Sequence, residues 1–216
     1  MKIVVFGATG GTGRAVVHAL LAGGHAVTAF VRDPAALASL PGLHTVVGDA
    51  MRPGDVARAV AGQEAVVVSL GIPQRRAGLV PSATPEGPPY VCEAGTGNVI
   101  AAMQAAGVVR LVCVTSFGIG DTRAAAPLLF RVVFRLFMRA VMADKERQER
   151  LVKASGLEWT LVQPVGLTDR PAAGHWVAST SGKTGRSMVI RADLGAFIAA
   201  EVVQGRHIRE TVAFSG

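Results

Sequence analysis

The sequence predicts a single α/β domain of the doubly wound type, in which helices cover both faces of a mainly parallel sheet. Short apolar runs alternate with segments whose apolar residues recur at helical spacing, as in repeated βα units. The first run, residues 3–6, ends directly in a glycine-rich turn at residues 7–13. No internal repeat or linker interrupts the 216 residues, so we expect residues 1–216 to form one domain.

The glycine-rich turn, GATGGTG, is the strongest functional signal, because a strand precedes it and a helix with apolar positions in residues 16–21 follows. In a dinucleotide-binding βαβ unit, Gly7 would allow the sharp turn, Gly10 the approach of the pyrophosphate, and Gly13 the packing of helix against strand. The helix N-terminus would offer N–H groups to the phosphates. The turn therefore predicts a nucleotide site, with a tight turn that binds nothing as the alternative.

The end of the second predicted strand, residues 25–31, bears on the choice of cofactor. Arg32 follows the strand directly, and Asp33 comes next. An acidic residue at this place binds the ribose 2′-hydroxyl of NAD, whereas an arginine accommodates the 2′-phosphate of NADP. We therefore expect NADP(H), and a solvated Arg–Asp pair that opens a turn is the alternative.

The next two strands also end in residues that suit a cofactor. Asp49 follows the strand at 43–47 and could accept a hydrogen bond from the adenine amino group, or form a turn only. A helix is predicted over 53–61. The strand at 65–70 is continuously apolar and ends at Gly71, where a small residue would let the backbone lie against the cofactor ribose.

Residues 71–91 are rich in proline and predict a long loop beside the crevice, which is typical of a lid or binding loop. Arg75 and Arg76 in this loop could meet an anionic substrate or be solvated. Residues 127–154 predict a long helical stretch, in which a break near Asp144 is left open. The first half of this stretch is apolar except for a row of three arginines, Arg131, Arg135 and Arg139.

The arginine row argues against a membrane span and favours a core or dimer-facing helix, so an oligomer through residues 127–143 is possible; a membrane-surface helix is the alternative. We expect the fifth strand to place Ser116 at the same edge of the sheet as the glycine turn. The stretch after Gly166 is expected to be irregular as far as Gly185. The remaining predicted elements are a helix over 92–106, strands over 111–115, 159–163, 188–190 and 211–214, and a helix from Asp193, its N-cap, to Val203.

Composition narrows the classes further. Hydrophobic residues make up 50% of the chain and charged residues 17%, which excludes a disordered chain. The net charge of +7 could suggest nucleic acid, but no basic run is interleaved with aromatic residues, so an arginine-rich surface with an anionic cofactor is favoured. Cys113 lies in a predicted buried strand, so a disulfide with Cys92 is not expected and the cytoplasm is the expected compartment. The apolar run after Lys2 is too short for a signal peptide, and no metal site is expected.

Several segments together carry a family resemblance: GATGGTG at 7–13, VRDP at 31–34, VVGDA at 46–50, AVAGQEAVVVSLG at 59–71, GTGNVIAAM at 95–103, TSFG at 115–118 and KERQERLVKASGLEWTLVQP at 145–164. They resemble the atypical short-chain dehydrogenase/reductases, a branch with NmrA-like proteins and the flavin/biliverdin reductases, and are most similar to the latter. The resemblance implies an NADP-binding Rossmann fold of strand order 3-2-1-4-5-6. It implies cofactor contacts at Gly7, Thr9, Gly10, Thr12, Gly13, Arg32, Asp49 and Ser116, and the predicted set is completed by Gly11, Ala50, Leu70, Gly71, Pro164 and Val165.

The sequence departs from that branch at the catalytic pair, Tyr-x-x-x-Lys. The single tyrosine, Tyr90, has no lysine four residues later. Lys145 matches the lysine of the pair, and Val141 stands where the tyrosine would be. Lys145 is then either a cation near the nicotinamide ribose or a solvent-facing helix residue. The flavin/biliverdin reductases have a histidine in the loop after strand six, which is absent here, and His175 is interpreted as a surface residue.

These residues predict an NADPH-dependent reductase of a flavin, a biliverdin-like tetrapyrrole or a quinone, without a tyrosine general acid. Reduced forms of such acceptors can take protons from water, whereas the alkoxide from a simple ketone needs a proton donor. Ser116 would orient cofactor or substrate, Lys145 would assist, and Pro164-Val165-Gly166 would press the nicotinamide into place. The alternatives are a non-catalytic NADP(H)-binding redox sensor of NmrA type and an epimerase-like enzyme, which the missing tyrosine disfavours.

Overall fold

The computed structural model describes residues 1–71, 90–126 and 139–216. The strands are β1 (Lys2–Phe6), β2 (Ala26–Val31), β3 (Leu43–Val47), β4 (Ala65–Val68), β5 (Arg110–Val114), β6 (Glu158–Pro164), β7 (Gly166–Thr168), β8 (Val177–Ser179), β9 (Met188–Ile190) and β10 (Glu210–Ser215). The α-helices of these residues are α1 (Gly11–Ala22), α2 (Pro53–Val60), α3 (Val91–Ala106), α4 (Arg139–Ala154) and α5 (Arg191–Gln204). Short 3₁₀ turns lie at Pro34–Ala36 and Gly120–Thr122.

The main sheet has eight strands in the order β3-β2-β1-β4-β5-β6-β10-β8, which confirms the predicted order 3-2-1-4-5-6. All neighbours in it are parallel except β10 and β8, which pair in antiparallel fashion. A separate parallel pair is formed by β7 and β9. The chain order reverses between β1 and β4, and in such sheets a crevice opens at this point, outside the carboxyl ends of the strands.

Two cores, one on each face of the sheet, hold the domain together. Along β1 the side chains of Ile3 and Val5 belong to the core under α1 and α5, whereas Val4 and Phe6 belong to the core under α2 and α3. This explains why the strand is apolar without alternation, since both of its faces are buried. The carboxyl ends of β1, β4, β5 and β6 are therefore held on one rigid edge.

Helix α4 continues through Asp144 without the break that the sequence left open. The carboxylate of Asp144 is fully buried and accepts the N–H groups of Cys92 (2.9 Å) and Glu93 (3.0 Å) at the start of α3. Asp144 therefore caps the free N–H groups of a neighbouring helix instead of ending its own.

The last helix also begins differently from the prediction. Helix α5 starts at Arg191 with Ile190 in the N-cap position, so the prediction of Asp193 as N-cap is wrong. The buried carboxylate of Asp193 accepts instead the N–H groups of Ala173 (3.1 Å) and Gly174 (3.0 Å). The stretch that we expected to be irregular contains β7 and β8, because β9 and the edge of β10 supply their strand partners.

Residues 72–89, with Arg75 and Arg76, and residues 127–138, with Arg131 and Arg135, lie outside the described part of the chain. The predictions of a lid beside the crevice and of an oligomer through residues 127–143 fall mainly on them. Among the helices that the structure describes, none has the length and hydropathy needed to cross a bilayer.

Candidate functional site

The glycine-rich turn joins β1 to α1 in a conformation that only glycine fits. Gly7 has a φ of +81°, and a Cβ there would lie 2.3 Å from the carbonyl oxygen of Ser69 at the end of β4. A Cβ on Gly13 would lie 2.0 Å from the carbonyl oxygen of Gly7, so the helix approaches the strand closely. Gly10 is exposed, a Cβ on it would lie 3.4 Å from the carbonyl oxygen of Gly7, and no side chain caps the N–H groups of α1. These free N–H groups are a ready site for phosphate.

A continuous groove crosses the carboxyl ends of the parallel strands. Its outer part, about 180 Å³, is lined by Gly7, Thr9, Gly10, Phe30, Val31, Arg32, Asp49, Ala50, Met51, Ser69, Leu70, Gly71 and Val91. Its inner part, about 370 Å³, is lined by Gly10, Gly11, Thr12, Ser69, Leu70, Gly71, Val114, Thr115, Lys145, Pro164, Leu167 and Arg191. The two parts share Gly10, which directly precedes α1, and residues 69–71, which directly follow β4, so one extended ligand could occupy both.

Most of the predicted site residues line this groove, and three lie beside it. Gly13 is buried behind the turn. Ser116 is half-buried, and its Oγ lies 3.4 Å from the carbonyl oxygen of Phe117, while the preceding Thr115 lines the inner groove. Val165 packs against the core under α1 and α5. The structure thus brings together the glycine turn, Arg32 and Asp49 after strands β2 and β3, and Lys145.

Arg32 and Asp33 are adjacent in the sequence, but their side chains have different surroundings. The carboxylate of Asp33 accepts the N–H of Ala35 at 2.9 Å and caps the 3₁₀ turn after β2. Arg32, by contrast, is exposed and lines the groove. The guanidinium of Arg32 can therefore meet an anion here, while one carboxylate oxygen of Asp33 caps the turn.

Asp49 is held at the groove wall by its own turn. Its Oδ1 accepts the N–H of Met51 (2.9 Å), and its backbone N–H donates to Asp55 Oδ2 (3.0 Å). Asn98 on α3 donates from Nδ2 to the carbonyl oxygen of Ala50 at 2.8 Å, which ties the same turn to the helix behind it. Asp49 therefore forms a turn and also lines the groove, and its contact with the adenine amino group stays a prediction.

Lys145 lies at the floor of the inner groove rather than in solvent. Its Nζ lies 3.3 Å from the carbonyl oxygen of Leu70 and 3.4 Å from that of Val114, at the ends of β4 and β5. Val141 is half-buried one turn earlier on α4, and Tyr90 is 49% exposed just before α3. The ammonium group can thus hold a hydroxyl or carbonyl oxygen of a ligand in the inner groove.

Sequence reasoning missed two groups of this site. Arg191 reaches the glycine turn, since a Cβ on Gly11 would lie 2.8 Å from its Nε, and its Nη1 pairs with Asp169 at 2.7 Å. Thr115 lines the inner groove, and its Oγ1 donates to Oε1 of the buried Glu149 at 2.5 Å. The only sequence signals were an arginine at the start of a helix and a glutamate one helical turn after Lys145.

The two cysteines are not suited to act as nucleophiles. Cys92 and Cys113 are both buried and free. Burial raises the pKa of the Cys92 thiol to about 11, and it raises that of Cys113 as well. Both thiols therefore remain protonated at neutral pH and do not supply a nucleophile. His175 is exposed, with Nδ1 3.1 Å from the carbonyl oxygen of Ala173.

A glycine turn and an uncapped helix N-terminus, facing a groove at the switch point of a parallel sheet, define a dinucleotide-binding protein of the Rossmann type. A family model described as NAD(P)H-binding matches residues 7–204. The chain therefore belongs to this NAD(P)H-binding family, and the resemblance to the atypical short-chain dehydrogenase/reductases is confirmed.

Known proteins resemble most of the chain. An uncharacterised chloroplastic protein of Arabidopsis thaliana is 29% identical over 206 residues, which is 94% of this chain and 71% of that protein. The anaerobilin reductase ChuY of Escherichia coli has a similar structure, with a TM-score of 0.80, 23% identity and coverage of 100% and 97% of the two chains. A short-chain dehydrogenase/reductase of Veillonella parvula, solved in complex with NADP, gives a TM-score of 0.79 at 15% identity, covering 100% of this chain and 94% of its own.

Proposed function

We propose that this protein is an NADPH-dependent reductase whose acceptor is a flavin, a biliverdin-like tetrapyrrole or a quinone. The observation that carries the proposal is the continuity of the groove. It joins the uncapped N-terminus of α1 to an inner part over the ends of β5 and β6, where Lys145 forms the floor. A dinucleotide bound on the turn would direct its nicotinamide into the inner part, beside the space for an acceptor.

The preference for NADPH over NADH rests on Arg32 and Asp33. Arg32 lines the outer groove, whereas Asp33 caps the following turn. Asp33 is not among the described residues that line the outer groove, whereas the arginine lines it and can pair with a 2′-phosphate. Arg191, which reaches over Gly11, adds a second cation where the pyrophosphate would lie.

The chemistry of the inner groove favours acceptors that do not need a phenolic proton donor. Val141 occupies the place of the family tyrosine, and the described lining of the inner groove contains no phenol. NADPH, when bound, supplies the hydride. Lys145 would hold the ribose, Pro164 would limit the position of the ring, and Ser116 beside them would orient cofactor or acceptor, so that catalysis comes mainly from alignment.

The test is steady-state oxidation of NADPH with FMN, biliverdin and a water-soluble quinone, with a simple ketone as the comparison. We expect acceptor-dependent oxidation with at least one of the first three and almost none with the ketone. Lys145→Met should lower kcat by up to about 100-fold because the cofactor loses its alignment. Lys183→Met removes the same charge from an exposed site and should leave kcat unchanged. Efficient turnover of the ketone, or no turnover with any acceptor, would contradict the proposal.

A redox sensor of NmrA type is the second candidate, and the absence of the tyrosine supports it equally. A sensor would bind NADP⁺ and NADPH with different consequences for a partner, and an acceptor would not change the rate of NADPH oxidation. Thermal stabilisation by each cofactor form, measured with and without acceptor, separates the two candidates. An epimerase-like function is disfavoured because its chemistry relies on the missing tyrosine.

The compartment that we propose is the cytoplasm. The support for it is the pair of buried, free thiols of Cys92 and Cys113, which suit a reducing environment. The small-molecule acceptor remains the proposed partner. Labelling with a thiol reagent under native conditions should be slow for both cysteines and become fast on unfolding, because neither is accessible in the folded chain.

A further inference from the structure

Glu149 is a buried acid directly behind the inner groove. It lies on α4 one turn after Lys145 and is only 2% exposed. Its Oε1 accepts hydrogen bonds from Thr115 Oγ1 (2.5 Å) and from Gln163 Nε2 (2.6 Å). Both donors are neutral, and Oε2 is buried without a hydrogen-bond partner in the described residues. A buried carboxylate with no cation on it is costly, so this environment favours the neutral acid.

The neighbours of Glu149 are themselves fixed, so this arrangement is not accidental. Gln163 accepts a hydrogen bond from Thr122 Oγ1 (2.6 Å) and donates to the carbonyl oxygen of Ile119 (3.2 Å), which sets its amide nitrogen toward Glu149. Gly120 has a φ of +47°, and a Cβ there would lie 2.3 Å from Glu149 Oε2. The loop after β5 is thus shaped around the carboxyl group.

The charges around Glu149 do not reverse this preference. Burial raises the pKa of Glu149, and the hydrogen bonds from Thr115 and Gln163 offset the rise only in part. Lys153 lowers the pKa and Asp121 raises it, and these two residues pair with each other at 2.6 Å. Lys145, one turn away, directs its ammonium to the carbonyl oxygens at the strand ends. The carboxyl group therefore keeps its proton at a pH where an exposed glutamate would lose it.

Thr115 is the connection between this acid and the groove. It lines the inner groove, and its hydroxyl contacts Glu149. A hydroxyl can accept one proton and donate another. When Glu149 is protonated on Oε1, it donates to Thr115 Oγ1, and the threonine proton is then free to point into the groove.

We propose that Glu149, acting through the hydroxyl of Thr115, supplies the proton that completes reduction of the acceptor. This rests on the proposed function, since NADPH is the reductant. The acceptor takes a hydride, with two electrons, from NADPH, and the resulting anion takes a proton from Thr115 while Thr115 takes one from Glu149. The Glu149 carboxylate then regains a proton from solvent. In the net reaction, NADPH, one proton and the oxidised acceptor give NADP⁺ and the reduced acceptor. Glu149 is therefore a positioning and proton-supplying residue, and Thr115 is the group that would touch the acceptor.

The test compares Thr115→Val and Glu149→Gln with the wild type, using biliverdin or a quinone as acceptor. Each variant keeps the size of its side chain but removes one link of the proton path. We expect kcat to fall roughly 100-fold while the KM for NADPH stays unchanged. In the wild type, kcat should fall as pH rises through the pKa of the carboxyl group and should show a solvent deuterium isotope effect on proton transfer. Both features should disappear in the two variants.

Thr96→Val is the matched control, because Thr96 is a buried threonine of α3, outside the groove, whose Oγ1 accepts from Nε2 of Gln148 on α4 at 2.8 Å. It should keep the wild-type pH profile and isotope effect. If Thr115→Val and Glu149→Gln turn over like the wild type, the proton path is refuted while the reductase function stands. If none of the tested acceptors supports NADPH oxidation by the wild type, the proposed reductase function itself is refuted. Thermal unfolding checks that each variant is folded.

Discussion

Glu149 and Glu201 are two buried glutamates at opposite edges of the same sheet, each on a helix and each 2% exposed. The partners of Glu149, Thr115 and Gln163, lie at the carboxyl ends of the central strands, where the groove opens. Glu201 pairs instead with Arg110, the first residue of β5, at the amino-terminal edge. The comparison therefore holds residue type and burial constant and changes only the edge of the sheet.

At the amino-terminal edge, both carboxylate oxygens of Glu201 have basic partners. Glu201 Oε1 accepts from Arg110 Nη2 at 2.9 Å, and Oε2 lies 2.7 Å from His207 Nδ1. Burial alone would raise the pKa of Glu201, but the hydrogen bonds from His207, with the charges of His207 and Arg110, outweigh it and lower the pKa. Thr160 Oγ1, at 3.1 Å, completes the set. This cluster is built for stability.

At the carboxyl edge, the donors that reach Glu149 from the described residues are neutral, so burial dominates and its pKa is raised. Because the two acids are equally buried, their opposite pKa shifts come from their different partners. Glu149 also keeps a second oxygen that finds no hydrogen-bond partner in the described part of the chain, a feature that occurs at functional sites.

The largest expected effect is on stability at the amino-terminal edge. Glu201→Gln leaves the buried guanidinium of Arg110 without its counter-ion and should lower the free energy of unfolding by about 3–5 kcal/mol. Glu149→Gln replaces an acid whose raised pKa favours its neutral form and should change it by less than about 1 kcal/mol. Urea unfolding at pH 5, where the carboxyl group of Glu201 with its lowered pKa is ionised, measures both.

The wild type and both variants should be unfolded in parallel, and similar slopes with denaturant would show that the same surface is exposed. Equal losses in the two variants would contradict the comparison, since they would mean that Glu149 is as strongly paired in the folded state as Glu201.

The second effect concerns binding at the carboxyl edge. Arg32→Ala should weaken NADPH binding by about 1.5–3 kcal/mol, because a charge-assisted contact to the 2′-phosphate is lost, and should leave NADH binding nearly unchanged. Arg206→Ala removes an exposed arginine near the opposite edge and should change neither. Fluorescence titration with both cofactors measures the ratio, and a parallel loss for NADH would show that Arg32 does not contact a 2′-phosphate.

The two edges also differ in how well the sequence predicts them. The strand order and the outer groove followed from local signals: a glycine turn after a strand, and the residues directly after β2 and β3. Arg32 and Asp49 lie where those signals put them. Such positions are set by chain direction alone, because every parallel strand delivers its next residue to the same edge.

The contacts of the buried acids could not be predicted from the sequence, because their partners are distant along the chain. Glu149 and Thr115 are 34 residues apart, and Asp144 accepts the N–H of Cys92, 52 residues earlier, at the start of another helix. Asp193 was expected at an N-cap because aspartate is common there, but its acceptor oxygens serve the loop at Ala173. A local pattern shows that a carboxylate needs donors, and only the packed fold shows which ones it finds.

The smallest expected effect is the pH dependence of stability, which should have opposite signs for Glu149 and Glu201. The folded state raises the pKa of Glu149 above the usual 4.5, so its proton is held more tightly in the folded than in the unfolded chain. Its contribution to stability is complete below pH 4.5 and is lost as pH rises through the raised pKa. Glu201, with a lowered pKa, contributes fully above pH 4.5 and loses this as pH falls through the lowered pKa.

The two glutamates therefore act in separate pH ranges and with opposite sign. Relative to Glu149→Gln, the wild type should lose stability as pH rises above 4.5 through the raised pKa, because the buried acid must then ionise where none of the described residues pairs a cation with it. Relative to Glu201→Gln, the wild type should lose stability only on acidification below 4.5, when the carboxylate that pairs with Arg110 becomes protonated. Urea unfolding from pH 3.5 to 8, with each variant as its own baseline, measures both slopes. If the wild type and Glu149→Gln run parallel above pH 4.5, the carboxyl group behind the groove ionises as an exposed one does, and the distinction between the two edges is lost.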